Sequence, residues 1–148
     1  LEQDRSYKYT VIADDDEDDR FLIKAAFEEC GSSIPLSFVQ DGLELMQYLN
    51  NENAFSDTNL YKQPSLILLD LNMPKKDGRE IIQEMRANSN FKSIPIVVLS
   101  TSNAPSDIRT CYELGANSFI TKPSSFEGLL EIIKNLQQFW FVTASLPQ

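Results

Sequence analysis

Five polar residues that could bind metal or phosphate lie at the ends of short apolar runs. Asp14 and Asp15 follow the first run, and Asp70 follows the third. Ser100 closes the fourth run, and Lys122 follows the fifth. Carboxylate oxygens bind hard cations, and hydroxyl and ammonium groups bind phosphate oxygens. This chemistry requires a fold that brings the five side chains together.

The apolar runs have the pattern of buried parallel strands. They are apolar on both faces instead of alternating, as expected for strands covered by helices on both sides. They lie at residues 9–13, 36–39, 65–69, 94–99 and 118–121. Apolar residues at helical spacing follow each run, and the last helix is expected to begin around Ser124 and Ser125. Five such repeats predict one α/β domain with a parallel sheet.

Parallel sheets of this kind bind ligands at the carboxyl ends of their strands. If strands one and three are neighbours, Asp14, Asp15 and Asp70 lie ~5 Å apart laterally. Three such carboxylates repel one another unless a cation intervenes, and Mg²⁺ needs only one or two carboxylates besides water and phosphate oxygens. An ionised Asp can also act as a nucleophile and form an aspartyl phosphate. The pattern therefore indicates phosphoryl transfer, with Lys122 and Ser100 contacting phosphoryl oxygens.

Composition excludes several other classes of function. The 148 residues include 22 Asp and Glu, 13 Lys and Arg and no His, which gives a net charge of −9. Without His there is no Ser-His-Asp or Cys-His catalytic site and no His-ligated zinc. The acidity argues against nucleic acids and anionic membrane surfaces as partners. No apolar run is long enough to span a membrane and no leader is evident, so we expect a cytoplasmic protein.

Four motifs resemble those of response-regulator receiver domains of two-component signalling. They are VIADDDEDDR, LILLDLNMPKKDG, IPIVVLSTS and NSFITKP, in the family's order and spacing. The resemblance implies a flavodoxin-like doubly wound (βα)5 sandwich with strand order 2-1-3-4-5. It also implies one receiver domain over residues 1–148, with an extended C-terminal helix and tail at about 125–148. The tail LEIIKNLQQFWFVTASLP and the long second loop further resemble single-domain regulators paired with bacterial phytochromes.

The resemblance assigns the metal and the phosphoryl group to particular residues. Asp14 and Asp15 take the place of the family's acidic pair, which holds Mg²⁺. Asp15 is the direct ligand, and Asp14 acts through water. Asp70 takes the place of the phosphoacceptor and metal ligand, and the backbone carbonyl of Asn72 that of a third ligand. The implied phosphoryl donor is a sensor histidine kinase, with a phytochrome-like kinase as the favoured kind.

Three further positions match the family's switch and phosphoryl contacts. Ser100 falls at the conserved hydroxyl, where Thr is commoner, and Lys122 falls at the lysine that contacts the phosphoryl group. Phe119 occupies the aromatic switch position, often a Tyr, although a simple core role for Phe119 stays open. By the same resemblance the peptide bond between Lys122 and Pro123 is expected to be cis.

The last helix carries more apolar surface than one sheet face requires. At about 100° per residue its apolar arc reaches about 200°, twice the width needed to cover a sheet. We interpret the outer part of this arc as a homodimer interface, formed by Ile132, Phe139, Trp140 and Phe141. A helix that is merely buried more deeply is the alternative.

Several simpler interpretations stay open. The acids from Asp16 to Asp19 are expected to form a solvated first helical turn without a metal role. The polar connection from Asn51 to Gln63 is either a recognition segment or mobile. Two other functions remain, a degenerate receiver that signals without phosphorylation and a phosphate-ester hydrolase. The hydrolase lacks a second acid two residues after Asp70.

Overall fold

The computed structural model describes residues 8–147, so both ends of the predicted 1–148 domain lie outside the described residues. Five parallel strands form a single sheet in the order 2-1-3-4-5, which confirms the predicted topology. The strands are β1 Thr10–Ala13, β2 Leu36–Val39, β3 Leu66–Leu69, β4 Ile96–Ser100 and β5 Ser118–Thr121. The central strands β1, β3 and β4 are buried along their whole length, as continuous apolar runs require.

Within residues 8–147, five α-helices connect and follow the strands. They are α1 Glu17–Glu29, α2 Gly42–Leu49, α3 Gly78–Ala87, α4 Pro105–Leu114 and α5 Phe126–Gln138. Side chains of Asp16, Asp41, Asp77 and Ser125 accept hydrogen bonds from free backbone N–H groups at four helix starts. Helix α4 is capped by Gly115, whose positive φ of 119° suits a residue without a Cβ atom.

The sheet separates two apolar layers, because successive strand residues point to opposite faces. Ile67 and Leu69 of β3 pack with α2, α3 and α4. Leu66 and Leu68 pack with α1 and α5 on the other face. Cys111 belongs to the first layer and Cys30 borders the second, and both thiols are free. Both cysteines therefore act as small apolar residues of the two layers.

The long connection between α2 and β3 packs against α2. It contains a short 3₁₀ turn at Asn53–Phe55, and the Phe55 and Tyr61 rings contact the ring of Tyr48. The hydroxyl of Tyr48 donates to the carbonyl of Lys62, and the side chain of Gln63 donates to that of Leu49. The connection therefore belongs to the layer formed by α2, α3 and α4.

The C-terminal segment differs from the single long helix that the sequence suggests. Helix α5 ends at Gln138, and a π-helical turn, Phe139–Thr143, follows it. Across the part of the chain that the structure describes, no helix is both long and apolar enough to cross a bilayer.

Candidate functional site

The carboxyl ends of β1 and β3 bring three carboxylates together. Ala13 lies beside Leu69 in the parallel pair, so the next residues, Asp14 and Asp70, leave the sheet at the same edge. Carboxylate oxygens of Asp14, Asp15 and Asp70 all lie within 4.8 Å of one another. We call this group the acidic pocket. Asp14 and Asp70 are only 2% and 8% exposed, whereas Asp15 is exposed to solvent.

Asp14 is held by hydrogen bonds from within the protein. Its Oδ1 accepts from the backbone N–H of Asp16 at 2.9 Å, and its Oδ2 accepts from Nζ of Lys122 at 2.7 Å. Its backbone carbonyl accepts from the guanidinium of Arg20 at 2.7 Å. Because both carboxylate oxygens of Asp14 are engaged, the exposed carboxylate of Asp15 is better placed to bind a cation directly.

Lys122 follows β5 and reaches the acidic pocket from the side of α1. Its Nζ lies 2.7 Å from Asp14, 2.8 Å from Asp19 and 3.9 Å from Asp70. The expectation that Asp16 to Asp19 are all solvated is therefore wrong for Asp19. Its spacing is the signal: Asp19 lies four residues before Ile23, on the buried face of α1.

Burial and mutual repulsion change the acidity of the pocket. Burial raises the pKa of Asp70 to about 6; the nearby Lys122 opposes this shift, and Asp14 and Asp15 add to it. Burial also raises the pKa of Asp14, against the hydrogen bond from Lys122. Burial favours neutral Lys122, but hydrogen bonds to Asp14 and Asp19 outweigh it and raise the pKa of the ammonium group. The lysine therefore stays charged.

Ser100 connects the pocket edge to α3 and α4. It is fully buried at the end of β4, and its Oγ accepts from the backbone N–H of Ser102 at 3.2 Å. The hydroxyl of Ser102 donates to Asp107 at 2.6 Å, and Arg79 donates to the other oxygen of Asp107 at 2.9 Å. Sequence reasoning did not identify the Arg79–Asp107 pair, which joins residues 28 positions apart.

The other predicted positions have mixed outcomes. Asn72 is exposed, and its backbone N–H lowers the pKa of Asp70, against the larger effect of burial. The role of its carbonyl as a ligand stays a prediction. Phe119 is half-buried against the layer formed by α2, α3 and α4, and its backbone N–H donates to the hydroxyl of Tyr112 at 3.2 Å. Its switch role stays a prediction.

The peptide bond between Lys122 and Pro123 is trans, so the expected cis bond is wrong. Trans is the general preference of bonds to proline.

The predicted interface residues are only partly exposed. Phe139 is 52% exposed, whereas Ile132, Trp140 and Phe141 are half-buried against the layer formed by α1 and α5. The half-burial agrees in part with the alternative of deeper burial. Trp140 and Phe141 lie in the π-helical turn, which departs from the regular 100° spacing on which the predicted arc was based.

The acidic pocket fits a hard divalent cation. Its donor groups are carboxylates, which Mg²⁺, Ca²⁺ and Mn²⁺ prefer, and a cation would offset the repulsion that raises the pKa of Asp70. Neither free thiol belongs to this set. The oxygen-only donor set argues against a soft metal.

Comparison with known proteins identifies the class of this chain. Residues 10–134 match the family described as response regulator receiver domain. The chain belongs to this family, the receivers of two-component signalling.

Similar known proteins include cyanobacterial response regulators. Response regulator Rcp1 of Synechocystis sp. (strain ATCC 27184 / PCC 6803 / Kazusa) is 34% identical over 95% of this chain and 93% of its own length. The phosphorylated cyanobacterial phytochrome response regulator RcpA is 39% identical, with a TM-score of 0.88 over 96% of this chain and 99% of RcpA. The Mn²⁺-bound form of Rcp1 is 34% identical, with a TM-score of 0.85 over 95% and 99% of the two chains.

Proposed function

We propose that this chain accepts a phosphoryl group on Asp70 and transmits the signal through protein contacts. The observation that carries the proposal is a buried Asp70 carboxylate placed with Asp14 and Asp15 and 3.9 Å from the ammonium group of Lys122. The phosphorylated form of RcpA supports it, because RcpA shares 39% of its residues with this chain over nearly the full length.

Each residue of the site has a defined part in the transfer. An oxygen of Asp70 attacks the phosphorus atom and forms an acyl phosphate, while the bond to the donor breaks and its electron pair leaves with the donor atom. Lys122 and Ser100 bind phosphoryl oxygens and stabilise their charge. Because the Asp70 pKa is about 6, this carboxylate is ionised at neutral pH and needs no general base.

We infer that Mg²⁺ is the physiological cation. Asp15, Asp70 and the carbonyl of Asn72 would hold it directly, and Asp14 would bind through water, since its oxygens already accept hydrogen bonds. The bound cation supplies charge neutralisation at the phosphoryl oxygens. The Mn²⁺-bound Rcp1 supports a divalent metal in a similar chain.

Mass spectrometry after incubation with Mg²⁺ and acetyl phosphate tests the assignment of Asp70. We expect one added phosphoryl group in the wild type and none in Asp70→Asn. The matched control is Asp57→Asn, which removes an exposed carboxylate from the α2–β3 connection and should be labelled like the wild type. Equal labelling of Asp70→Asn contradicts the proposal. The unlabelled wild type would support the degenerate receiver instead.

We propose that this chain acts in the cytoplasm and that its phosphoryl donor is a phytochrome-like sensor histidine kinase. The support is the likeness to RcpA, a phytochrome response regulator. Autophosphorylated kinases can be compared as donors under the same conditions. We expect faster transfer from a phytochrome-type kinase than from a chemotaxis-type kinase, and the reverse order contradicts this part of the proposal.

We also propose a homodimer through the C-terminal segment that includes Ile132, Phe139, Trp140 and Phe141. Phe139 and Val142 are 52% and 69% exposed, and neighbouring exposed apolar side chains favour association. Light scattering should give a dimer for the wild type and a monomer for Phe139→Glu/Val142→Glu. These two positions test the surface better than Trp140 and Phe141, whose rings also pack inside.

The exposed Phe21 of α1 provides the control, since Phe21→Glu removes a similar ring elsewhere. This variant should remain a dimer. A monomeric wild type, or a dimer that survives Phe139→Glu/Val142→Glu, contradicts the proposed interface.

A further inference from the structure

Lys122 contacts a third acid, Asp19, that the phosphoryl-transfer scheme does not use. We propose that Asp19 is a positioning residue that holds Lys122 against Asp14 and thereby weakens the binding of a phosphoryl group at Asp70. The inference rests on the proposed function, because it assumes that Lys122 contacts the phosphoryl group.

The distances show which carboxylates accept hydrogen bonds from Lys122. Its Nζ makes two charged hydrogen bonds, at 2.7 Å to Asp14 and 2.8 Å to Asp19, whereas Asp70 at 3.9 Å is beyond hydrogen-bond range. The lysine side chain is only 11% exposed, so few water molecules screen these contacts. Two carboxylates thus neutralise the one ammonium group that a phosphoryl group needs.

Helix geometry explains why Asp19, and not a neighbour, reaches the lysine. The side chain of Asp16 caps α1 and accepts from the backbone N–H groups of Asp18 and Asp19, which places Asp19 in the first turn. Asp19 lies four residues before Ile23 and seven before Ala26, both buried, so it continues the inward face. Asp18 lies four residues before the exposed Leu22 and continues the outward face.

The two acids that bind Lys122 differ in how readily they release it. Asp14 is nearly fully buried, and without Lys122 its charge would be desolvated and unpaired. The Asp19 side chain is 34% exposed, so water can solvate its carboxylate when the lysine moves. A phosphoryl group therefore competes mainly with Asp19 for Lys122. The negative charge of Asp19 also repels the negatively charged phosphoryl oxygens that approach Lys122.

Calorimetric titration with beryllium fluoride, a phosphoryl mimic, at saturating Mg²⁺ tests this competition. In Asp19→Asn we expect the dissociation constant of the mimic to fall about three- to tenfold, the range for one partly exposed charged hydrogen bond. The matched control is Asp18→Asn, which removes the same charge from the same turn without contacting Lys122. This control should change the constant by less than about twofold.

A conservative variant separates the contact from the overall charge of the helix. Asp19→Glu keeps a carboxylate that can reach Lys122, and should restore the dissociation constant to within about twofold of the wild type. Thermal unfolding of each variant checks that the fold is intact.

Three results would overturn the inference. They are weaker binding in Asp19→Asn, an equal change in Asp19→Asn and Asp18→Asn, and tighter binding in Asp19→Glu equal to that in Asp19→Asn. Failure of the proposed function itself is distinguishable, because it appears as labelling of Asp70→Asn by acetyl phosphate. The competition at Lys122 is tested in a protein whose Asp70 is intact.

Discussion

The two sides of the acidic pocket hold their polar groups differently. On one side, which we call the lysine side, Lys122 is buried and contacts Asp14 and Asp19 directly. On the other, the serine side, the ion pair Arg79–Asp107 does not contact Ser100 directly. It is connected to Ser100 through Ser102, whose hydroxyl donates to Asp107. The serine side carries similar charges, but these are half-exposed.

The difference in burial decides how strongly each side affects Asp70. Removing one partner of a buried ion pair leaves an uncompensated charge, which is costly, whereas a half-exposed pair contributes little. Lys122 also changes the Asp70 pKa directly, whereas Arg79 is not among the groups that shift it. Similar ion pairs beside one site thus have unequal consequences for Asp70 and for stability.

The largest effect is expected on the lysine side. Lys122→Met leaves the 2%-exposed carboxylate of Asp14 without its cation, so the free energy of unfolding should fall by about 3 kcal/mol. Adding Asp14→Asn should recover most of this loss, because both charges are then gone. Urea unfolding without divalent metal measures both variants. A loss below about 1 kcal/mol for Lys122→Met, or no recovery, would contradict the comparison.

The second effect is a dependence of stability on pH from Asp70. Its folded pKa of about 6 lies above the ordinary 3.8, so the folded protein holds this proton more tightly, and stability falls as pH rises from about 4 to 6. Asp70→Asn removes this penalty and should stabilise the metal-free protein by about 2 kcal/mol above pH 7. The gain should disappear near pH 4.

Urea titrations of both proteins across pH 4 to 8 provide the measurement. Saturating Mg²⁺ is the control, since a cation that offsets the repulsion should stabilise the wild type more than Asp70→Asn. A gain that is the same at every pH would show that burial of the Asp70 charge is not its cause.

The smallest effect is expected on the serine side. Arg79→Met breaks a half-exposed ion pair with Asp107, so the thermal unfolding midpoint should change by less than about 3 °C. Differential scanning calorimetry measures the midpoint, with Lys122→Met in parallel. A larger drop for Arg79→Met than for Lys122→Met would reverse the order of the two sides.

Local patterns were sufficient to predict the strands and the polar residues at their carboxyl ends. Continuous apolar runs predict buried strands, and the polar residue after each run must emerge at the carboxyl edge. The positions of Asp14 and Asp70 follow from this rule once β1 and β3 are neighbours. The neighbouring order itself came from the family resemblance, because the spacing of apolar residues does not specify strand order.

Contacts between distant segments were harder to predict. The Asp19–Lys122 pair joins residues 103 positions apart. Within six consecutive acids, the four-residue spacing from Asp19 to Ile23 marks the inward face of α1 but does not indicate which distant residue Asp19 contacts. At the C-terminus, the π-helical turn from Phe139 displaced the aromatic side chains from their predicted positions. Both depend on how α1 and α5 pack against the sheet.

By itself the sequence determined the strands, the helix starts and the chemical groups available at the strand ends, because hydrophobic periodicity and helix capping act over a few residues. Only the tertiary structure decided which acid Lys122 contacts and which aromatic rings stay exposed. The physical reason is that ion pairs and apolar contacts between distant segments depend on packing distances of a few ångström. Those distances exist only after the two layers close on the sheet.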